Sequence, residues 1–273
     1  MDTIRAIVLG IVQGLTEFLP ISSTAHLRIV PAFLGWDDPG AAFTAVVQLG
    51  TMAAVLMFFW DDLLTIARAT IASLRDRTLW RTQDRAAREG WYIVLGTIPI
   101  AILGVAFKHK IEHEFRTLEL IGSALIVMGL VLLAADATSR RERELDDLTM
   151  RDGWIIGLAQ ATALVPGVSR SGATITAGLG LGFTREAAAR YSFLLSVPAV
   201  VLSGLFELKD VGDGGGYGVF PTIIATILAF VVGYWSIAFF LRFLATHTLK
   251  AFVAYRVIVG ALVIALAAGG TIN

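Results

Sequence analysis

Apolar residues run through the chain in blocks, and six of these are long enough to cross a bilayer: residues 42–60, 91–107, 118–135, 187–206, 219–241 and 251–268. A helix rises about 1.5 Å per residue and the hydrocarbon core is about 30 Å thick, so a span needs roughly 20 mostly apolar residues. Two further apolar blocks, 4–19 and 154–165, are cut by Pro20 and Pro166. Each runs straight into polar sequence, Ser22-Ser23-Thr24-Ala25-His26 after the first and Ser169-Arg170-Ser171-Gly172 after the second. Polar, non-helical backbone survives at membrane depth only where it lines a cavity or is buried in protein. Both blocks are therefore predicted to be re-entrant helix-loop-helix hairpins. The chain reads as an all-α polytopic integral membrane protein of six transmembrane helices plus two such hairpins.

The order of elements repeats. At an offset of 147 positions Gly10 and Gln13 match Gly157 and Gln160, Ser22 matches Ser169, and residues 42–55 lie over 189–202. Each half is one hairpin followed by three spans, and three is odd, so the second half is expected to be inverted. The chain is read as a single membrane domain, 1–273, with halves of about 1–135 and 153–273 and a cytoplasmic linker of about 136–152. In an inverted repeat with broken helices the binding site falls near the midplane, here where the two hairpin tips meet. Orientation follows from basic residues in short loops. Arg68, Arg75, Arg77, Arg81, Arg85 and Arg88 mark the loop 61–90 as cytoplasmic, and Arg140, Arg141, Arg143 and Arg151 do the same for the linker. Opposing loops carry fewer, Lys108, Lys110 and Arg116 in one and Lys209 in the other. Both termini and the first hairpin are thus expected outside, with the second hairpin entering from the cytoplasm.

Composition agrees with this pattern. The chain is 56% hydrophobic and 16% charged, with a mean hydropathy of +0.74, so water is not its main solvent. Lys plus Arg equals Asp plus Glu at 22 each, which leaves no basic excess for a nucleic-acid partner. With no cysteine, thiol nucleophiles, thiolate metal sites and disulfides are excluded. Residues 1–5 lead into the first patterned block without a small-residue cleavage site, so no removable signal peptide is expected.

The chemistry concentrates at the two tips. In the first, Gln13 and Glu17 are four apart and share one helix face, which leads toward Ser22, Ser23, Thr24 and His26. The second reads Pro166-Gly167-Val168-Ser169-Arg170-Ser171-Gly172-Ala173-Thr174. Its glycines permit close backbone approach, its hydroxyls and helix-start amides donate hydrogen bonds, and Arg170 can fork onto phosphate oxygens. The first half thus supplies acid, base and nucleophile, and the second supplies positive charge, the combination that phosphoryl transfer needs. The candidate catalytic residues are Glu17, Ser23, His26 and Arg170; the candidate phosphate ligands are Gln13, Ser22, Thr24, Gly167, Ser169, Ser171, Gly172 and Thr174. The spacing at the first tip suggests a relay in which Glu17 orients His26 and His26 activates Ser23. The nucleophile stays open between Ser23, His26 and an activated water, with Ser23 preferred. Threonines such as Thr16, Thr162 and Thr174 also serve as glue between membrane helices. His109, His113 and His247 fall in loops, and Arg256, near the start of the last span, is expected to snorkel.

These motifs resemble those of the bacterial undecaprenyl-diphosphate phosphatases of the BacA type, also called bacitracin-resistance proteins. The resemblance spans nearly the whole chain. It rests on Gln13-x-x-x-Glu17, on Leu-Pro-Ile-Ser-Ser-Thr-x-His at 19–26 and on Pro-Gly-x-Ser-Arg-Ser-Gly-x-Thr at 166–174. It implies hydrolysis of undecaprenyl diphosphate to undecaprenyl phosphate and inorganic phosphate at the outer face of the bacterial cytoplasmic membrane. That reaction recycles the carrier lipid for cell-wall synthesis and confers bacitracin resistance. It also implies a divalent cation, Mg2+ or Ca2+, as an assistant, with Glu17 the candidate ligand. The expected partners are the polyprenyl diphosphate, membrane lipid and, as a candidate, a second copy of the chain. Two positions depart from the family pattern. Gln13 stands where many members have Glu, removing one carboxylate that could hold a metal, and Ala25 stands where Gly is usual, a residue that disfavours left-handed backbone. A polyprenyl-phosphate flippase or transporter without hydrolysis is the alternative reading, since paired hairpins in an inverted repeat also build transporters.

Overall fold

The computed structural model describes residues 2–81, 84–207 and 218–272. Among them the chain is helical, with no strand and one isolated bridge between Arg143 and Phe183. The α-helices are α1 (Asp2–Thr16), α2 (Ser23–Leu34), α3 (Gly40–Phe58), α4 (Trp60–Arg75), α5 (Arg85–Ala106), α6 (Leu118–Thr138), α7 (Met150–Ala161), α8 (Arg170–Gly180), α9 (Arg185–Glu207), α10 (Val219–Leu244) and α11 (Lys250–Ala268).

Four of them, α5, α6, α10 and α11, are each long and apolar enough to cross a membrane, and α3 joins them only as a bent pair with α4, turned by 81°. This is an integral membrane protein. The sixth expected span corresponds to α9, which is not among the apolar ones. It starts with Arg185, Glu186 and Arg190 and buries Ala188, Ala189, Tyr191, Phe193, Leu194 and Leu195. Its neighbours are protein, so its composition need not match lipid. In α10, by contrast, Phe220 and Trp235 are each 69% exposed, which suits a hydrocarbon surround.

The arginine-rich segment 61–90, expected as a loop, is largely helix. Phe59 ends α3, and Asp61 and Asp62 sit at the start of α4, where carboxylates favour the helix dipole. The new helix buries Ile66 and Ser73 and leaves Arg68 and Arg75 exposed, and Trp91 Nε1 donates to Ser73 Oγ at 2.9 Å. Of the basic residues that suggested a loop, Arg68 and Arg75 occupy the solvated face of this amphipathic helix, and Arg85 and Arg88 belong to the first turn of α5. Lys209 lies outside the described residues.

Nor does the linker run free. Arg143 donates to both oxygens of Asp152, at 3.2 and 2.6 Å, and to the carbonyls of Leu181 and Asp147. Its guanidinium lies 4.3 Å from the Phe183 ring centroid. Burial alone would raise the Asp152 carboxyl, but hydrogen bonds from Arg143 and Thr149 outweigh it and hold the group below its ordinary range.

Glycines set the closest packing. A side chain at Gly10 would meet the Ala225 carbonyl at 2.5 Å, so α1 lies directly on α10; one at Gly157 would meet the Gly96 carbonyl at 2.4 Å, so α7 lies directly on α5. The two glycines are the pair matched by the sequence offset. Each belongs to a helix-break-helix unit, α1–α2 or α7–α8, whose second helix starts at corresponding positions, Ser23 and Arg170.

Candidate active site

Each break places a serine in an unusual backbone state. Pro20 has no amide hydrogen to extend α1, and the chain turns through Ser22, at φ 73° and ψ 95°, into α2. Ser169 does the same ahead of α8 at φ 72° and ψ 118°, and its Oγ accepts from Gly172 N at 3.1 Å. Left-handed φ is rare for a residue with a side chain and persists only where the surroundings hold it. Here the tips hold each other: Gly167 N donates to Ser22 Oγ at 3.2 Å and Ser171 Oγ donates to Leu19 O at 3.1 Å. Gly167, at φ 95°, cannot be replaced without strain, because a side chain there would also lie 2.6 Å from Ile121 O. Ala25, by contrast, is an ordinary buried residue of α2, and the left-handed turn falls at Ser22 instead.

Arg256 corrects the expectation that it snorkels. It is fully buried and donates to the carbonyls of Pro20 at 2.9 Å, Gly167 at 2.8 Å, Val168 at 3.0 Å and Leu125 at 3.1 Å. One guanidinium from α11 thereby ties both tips to α6. The tight turns leave the carbonyls of Pro20, Gly167 and Val168 without helix partners, and a planar fork with five donors can serve several at once.

The two helices that follow the breaks, α2 and α8, begin beside a cavity of about 420 Å³. Its polar end is formed by Glu17, Ser22, Ser23 and Thr24 from the first tip, Ser169 and Arg170 from the second, and Gln48 from α3. Apolar walls come from Ile100, Ala101 and Val105 of α5 and from Val200 and Leu202 of α9; Lys108 and Arg116 also line it.

Glu17 is the hub. Its Oε1 accepts from Arg170 Nη2 at 2.5 Å and from Gln48 Nε2 at 2.9 Å. Its Oε2 accepts from Gln13 Nε2 at 2.8 Å and from Ser23 Oγ. Arg170 Nη1 goes to Ser196 O at 3.1 Å. Gln48 carries no motif of its own; its only signal is an amide in the middle of an otherwise apolar helix.

The expected relay through His26 is not assembled. Glu17 accepts from Ser23 directly, while His26 Nδ1 lies 2.8 Å from Ser22 O and Nε2 lies 2.7 Å from Tyr255 Oη. Of the other candidates, Gln13 stands behind Glu17 and Gly167 and Gly172 shape the second tip. Ser171 Oγ is 3.2 Å from Ser169 Oγ, and Thr174 Oγ1 reaches Ser192 Oγ at 2.6 Å on α9, as helix glue. His247 is exposed beside Thr246, and the side chain of His113 lies outside the described residues.

No cluster of three or more His, Asp or Glu side chains able to hold a metal ion occurs among the described residues. Among the described residues Glu17 is the one carboxylate lining the cavity, and four donors already occupy its oxygens. This donor set does not fit a resident divalent cation.

Fold and site together define a membrane-embedded protein with a cavity, lined by a carboxylate, an arginine and serines, at the meeting point of two broken helices. The model of the family described as bacitracin resistance protein BacA matches residues 6–262. The chain is 54% identical over 273 residues to the undecaprenyl-diphosphatase of Nocardioides sp., spanning 100% of this chain and 99% of that one. It is 53% identical over 273 residues to the undecaprenyl-diphosphatase of Thermobifida fusca, at 100% and 93% coverage. Against the undecaprenyl-diphosphatase of Chloroherpeton thalassium the identity is 50% over 283 residues, at 100% and 99%. The chain belongs to the BacA family of bacitracin resistance proteins.

Proposed function

We propose that the protein hydrolyses undecaprenyl diphosphate to undecaprenyl phosphate and inorganic phosphate. The observation that carries this reading is the meeting of Ser23 and Arg170 on one carboxylate, Glu17, at the polar end of a cavity with apolar walls. A diphosphate needs the polar end and a prenyl chain needs the walls. The relatives named undecaprenyl-diphosphatase, similar over their full length, support the same substrate.

The Glu17–Arg170 pair is set for an exchange of partners. The terminal phosphate takes the Arg170 fork and the amides at the starts of α2 and α8, and Glu17, still held by Gln13 and Gln48, accepts the proton of Ser23. Ser23 Oγ then bonds to the terminal phosphorus while the bond from that phosphorus to the bridging oxygen breaks, releasing undecaprenyl phosphate. Water attacks the phosphoserine, the Oγ–P bond breaks, Glu17 returns its proton to Ser23, and inorganic phosphate leaves with the proton from water. A divalent cation that assists would arrive bound to the diphosphate.

In this reading the α1–α2 and α7–α8 units are re-entrant hairpins of an inverted repeat with six spans, α3 and α9 included. The membrane is the bacterial cytoplasmic membrane, the pocket opens to its outer face, and turnover returns carrier lipid to cell-wall synthesis and raises bacitracin resistance. The test is phosphate release from undecaprenyl diphosphate by the purified protein in detergent. Release by the wild type and its loss in Ser23→Ala are expected. Lipid transfer across vesicles without any phosphate release would favour the flippase instead.

A further inference from the structure

His26 sits 5% exposed between two partners that determine its state. Ser22 O can only accept, so Nδ1, 2.8 Å away, carries the hydrogen. In the neutral ring Nε2 is then the acceptor, and the Tyr255 hydroxyl, 2.7 Å away, is its donor. The two rings also stack, with centroids 5.6 Å apart and planes 12° apart. Tyr255 is 42% exposed on α11, so burial does not fix it; the hydrogen bond and the stacking do. None of the hydrogen bonds that His26 makes among the described residues reaches Glu17 or Ser23.

What His26 does reach is the strained turn. Ser22, at φ 73°, is held by Gly167 N on its Oγ and by two donors on its carbonyl, the His26 amide at 3.2 Å and His26 Nδ1 at 2.8 Å. In the other tautomer a lone pair on Nδ1 would face the lone pairs of that carbonyl, and the turn would lose an anchor next to Ser23.

We infer that Tyr255 is a positioning residue for the hydrolysis: by donating to Nε2 and stacking on the ring it holds His26, in the tautomer that the Ser22 carbonyl selects, with Nδ1–H against that carbonyl, and so aims Ser23 at phosphorus. A group that fixes an imidazole through one nitrogen so that the other can act is a general device. The neighbouring Arg256 holds Pro20, Gly167 and Val168, so adjacent residues of α11 brace the imidazole and the tips. The inference rests on the hydrolytic reading with Ser23 as nucleophile.

The experiment uses the full chain in detergent with undecaprenyl diphosphate, comparing wild type, Tyr255→Phe, His26→Ala and the double variant, each checked for an unchanged melting profile. Tyr255→Phe should lower kcat about tenfold with KM little changed, the size expected for one hydrogen bond acting in the transition state. In the His26→Ala background the same change should cost nothing further, because Tyr255 acts only through the ring. Nitrogen-15 spectra of the labelled imidazole, assigned by the loss of signal in His26→Ala, should show wild-type His26 protonated at Nδ1 and, in Tyr255→Phe, a shifted Nε2 signal that reports the lost hydrogen bond. Equal losses in both backgrounds, or a wild-type ring protonated at Nε2, would overturn the inference while wild-type hydrolysis stands. No phosphate release by the wild type would overturn the hydrolytic reading and the inference with it.

Discussion

Arg170 Nη2 and Glu17 Oε1 lie 2.5 Å apart across 153 positions of sequence, joining the cation of one helix break to the carboxylate of the other. The side chains are only 14% and 3% exposed, so each neutralises a charge that the interior would otherwise penalise. The pair is a structural tie, and in the proposed reaction it is also where the terminal phosphate binds.

Arg170→Ala should therefore lower kcat/KM at least a hundredfold, about 3 kcal/mol of transition-state stabilisation, because the charge developing on the phosphoryl oxygens loses its fork. Arg170→Lys should rescue poorly, since one ammonium cannot span both Glu17 and Ser196 O as the guanidinium does. Phosphate release assays on both variants check this. Wild-type turnover by the lysine variant would show that the fork is unnecessary.

Arg256 predicts a different signature. Arg256→Met keeps the bulk of the stem and removes every donor, leaving the carbonyls of Pro20, Gly167 and Val168 unsatisfied in a buried place. Each such acceptor costs about 1–3 kcal/mol. Thermal melting in detergent should show a marked loss of stability, with activity falling as the tips loosen. A melting profile like that of the wild type would mean that the tips hold without it.

Much of the site is legible in the sequence because it violates the apolar pattern. Glu17, Ser22, Ser23, Ser169 and Arg170 stand out as polar residues after proline-cut apolar blocks, and the structure brings all five to one cavity. The offset of 147 pairs Ser22 with Ser169, and both adopt the same left-handed φ. What the spacing does not convey is the direction in which side chains leave a broken helix. Residues 17, 23 and 26 look close enough for a relay, but the break turns α2 so that Ser23 faces Glu17 and His26 faces α11. Gln48, Tyr255 and Arg256 reach the tips through tertiary packing alone. Local pattern has no means of ranking one glutamine in α3 or one arginine in α11. Of the six expected spans, four helices and the bent pair of α3 and α4 are apolar enough to cross; α9 is not, because it lies among other helices, where apolar composition stops reporting on the membrane.

The basic residues make a topological prediction. Reporters fused at Arg81 and Arg143 should read cytoplasmic, and reporters at the two termini should read external. The proposed inverted repeat, in which each half crosses three times, puts both termini on one face, and the basic residues put that face outside. A cytoplasmic C-terminus would contradict the inverted arrangement of the halves.

The central claim is that Ser23, deprotonated by Glu17, carries the phosphoryl group. Rapid acid quench during turnover of a diphosphate labelled in its terminal phosphate tests it most directly, because phosphoserine survives acid and phosphohistidine does not. The account predicts acid-stable label on the wild-type protein that disappears in Ser23→Ala and, for want of a base, in Glu17→Gln. Acid-labile label lost in His26→Ala, or inversion at phosphorus with no label trapped at all, would contradict it.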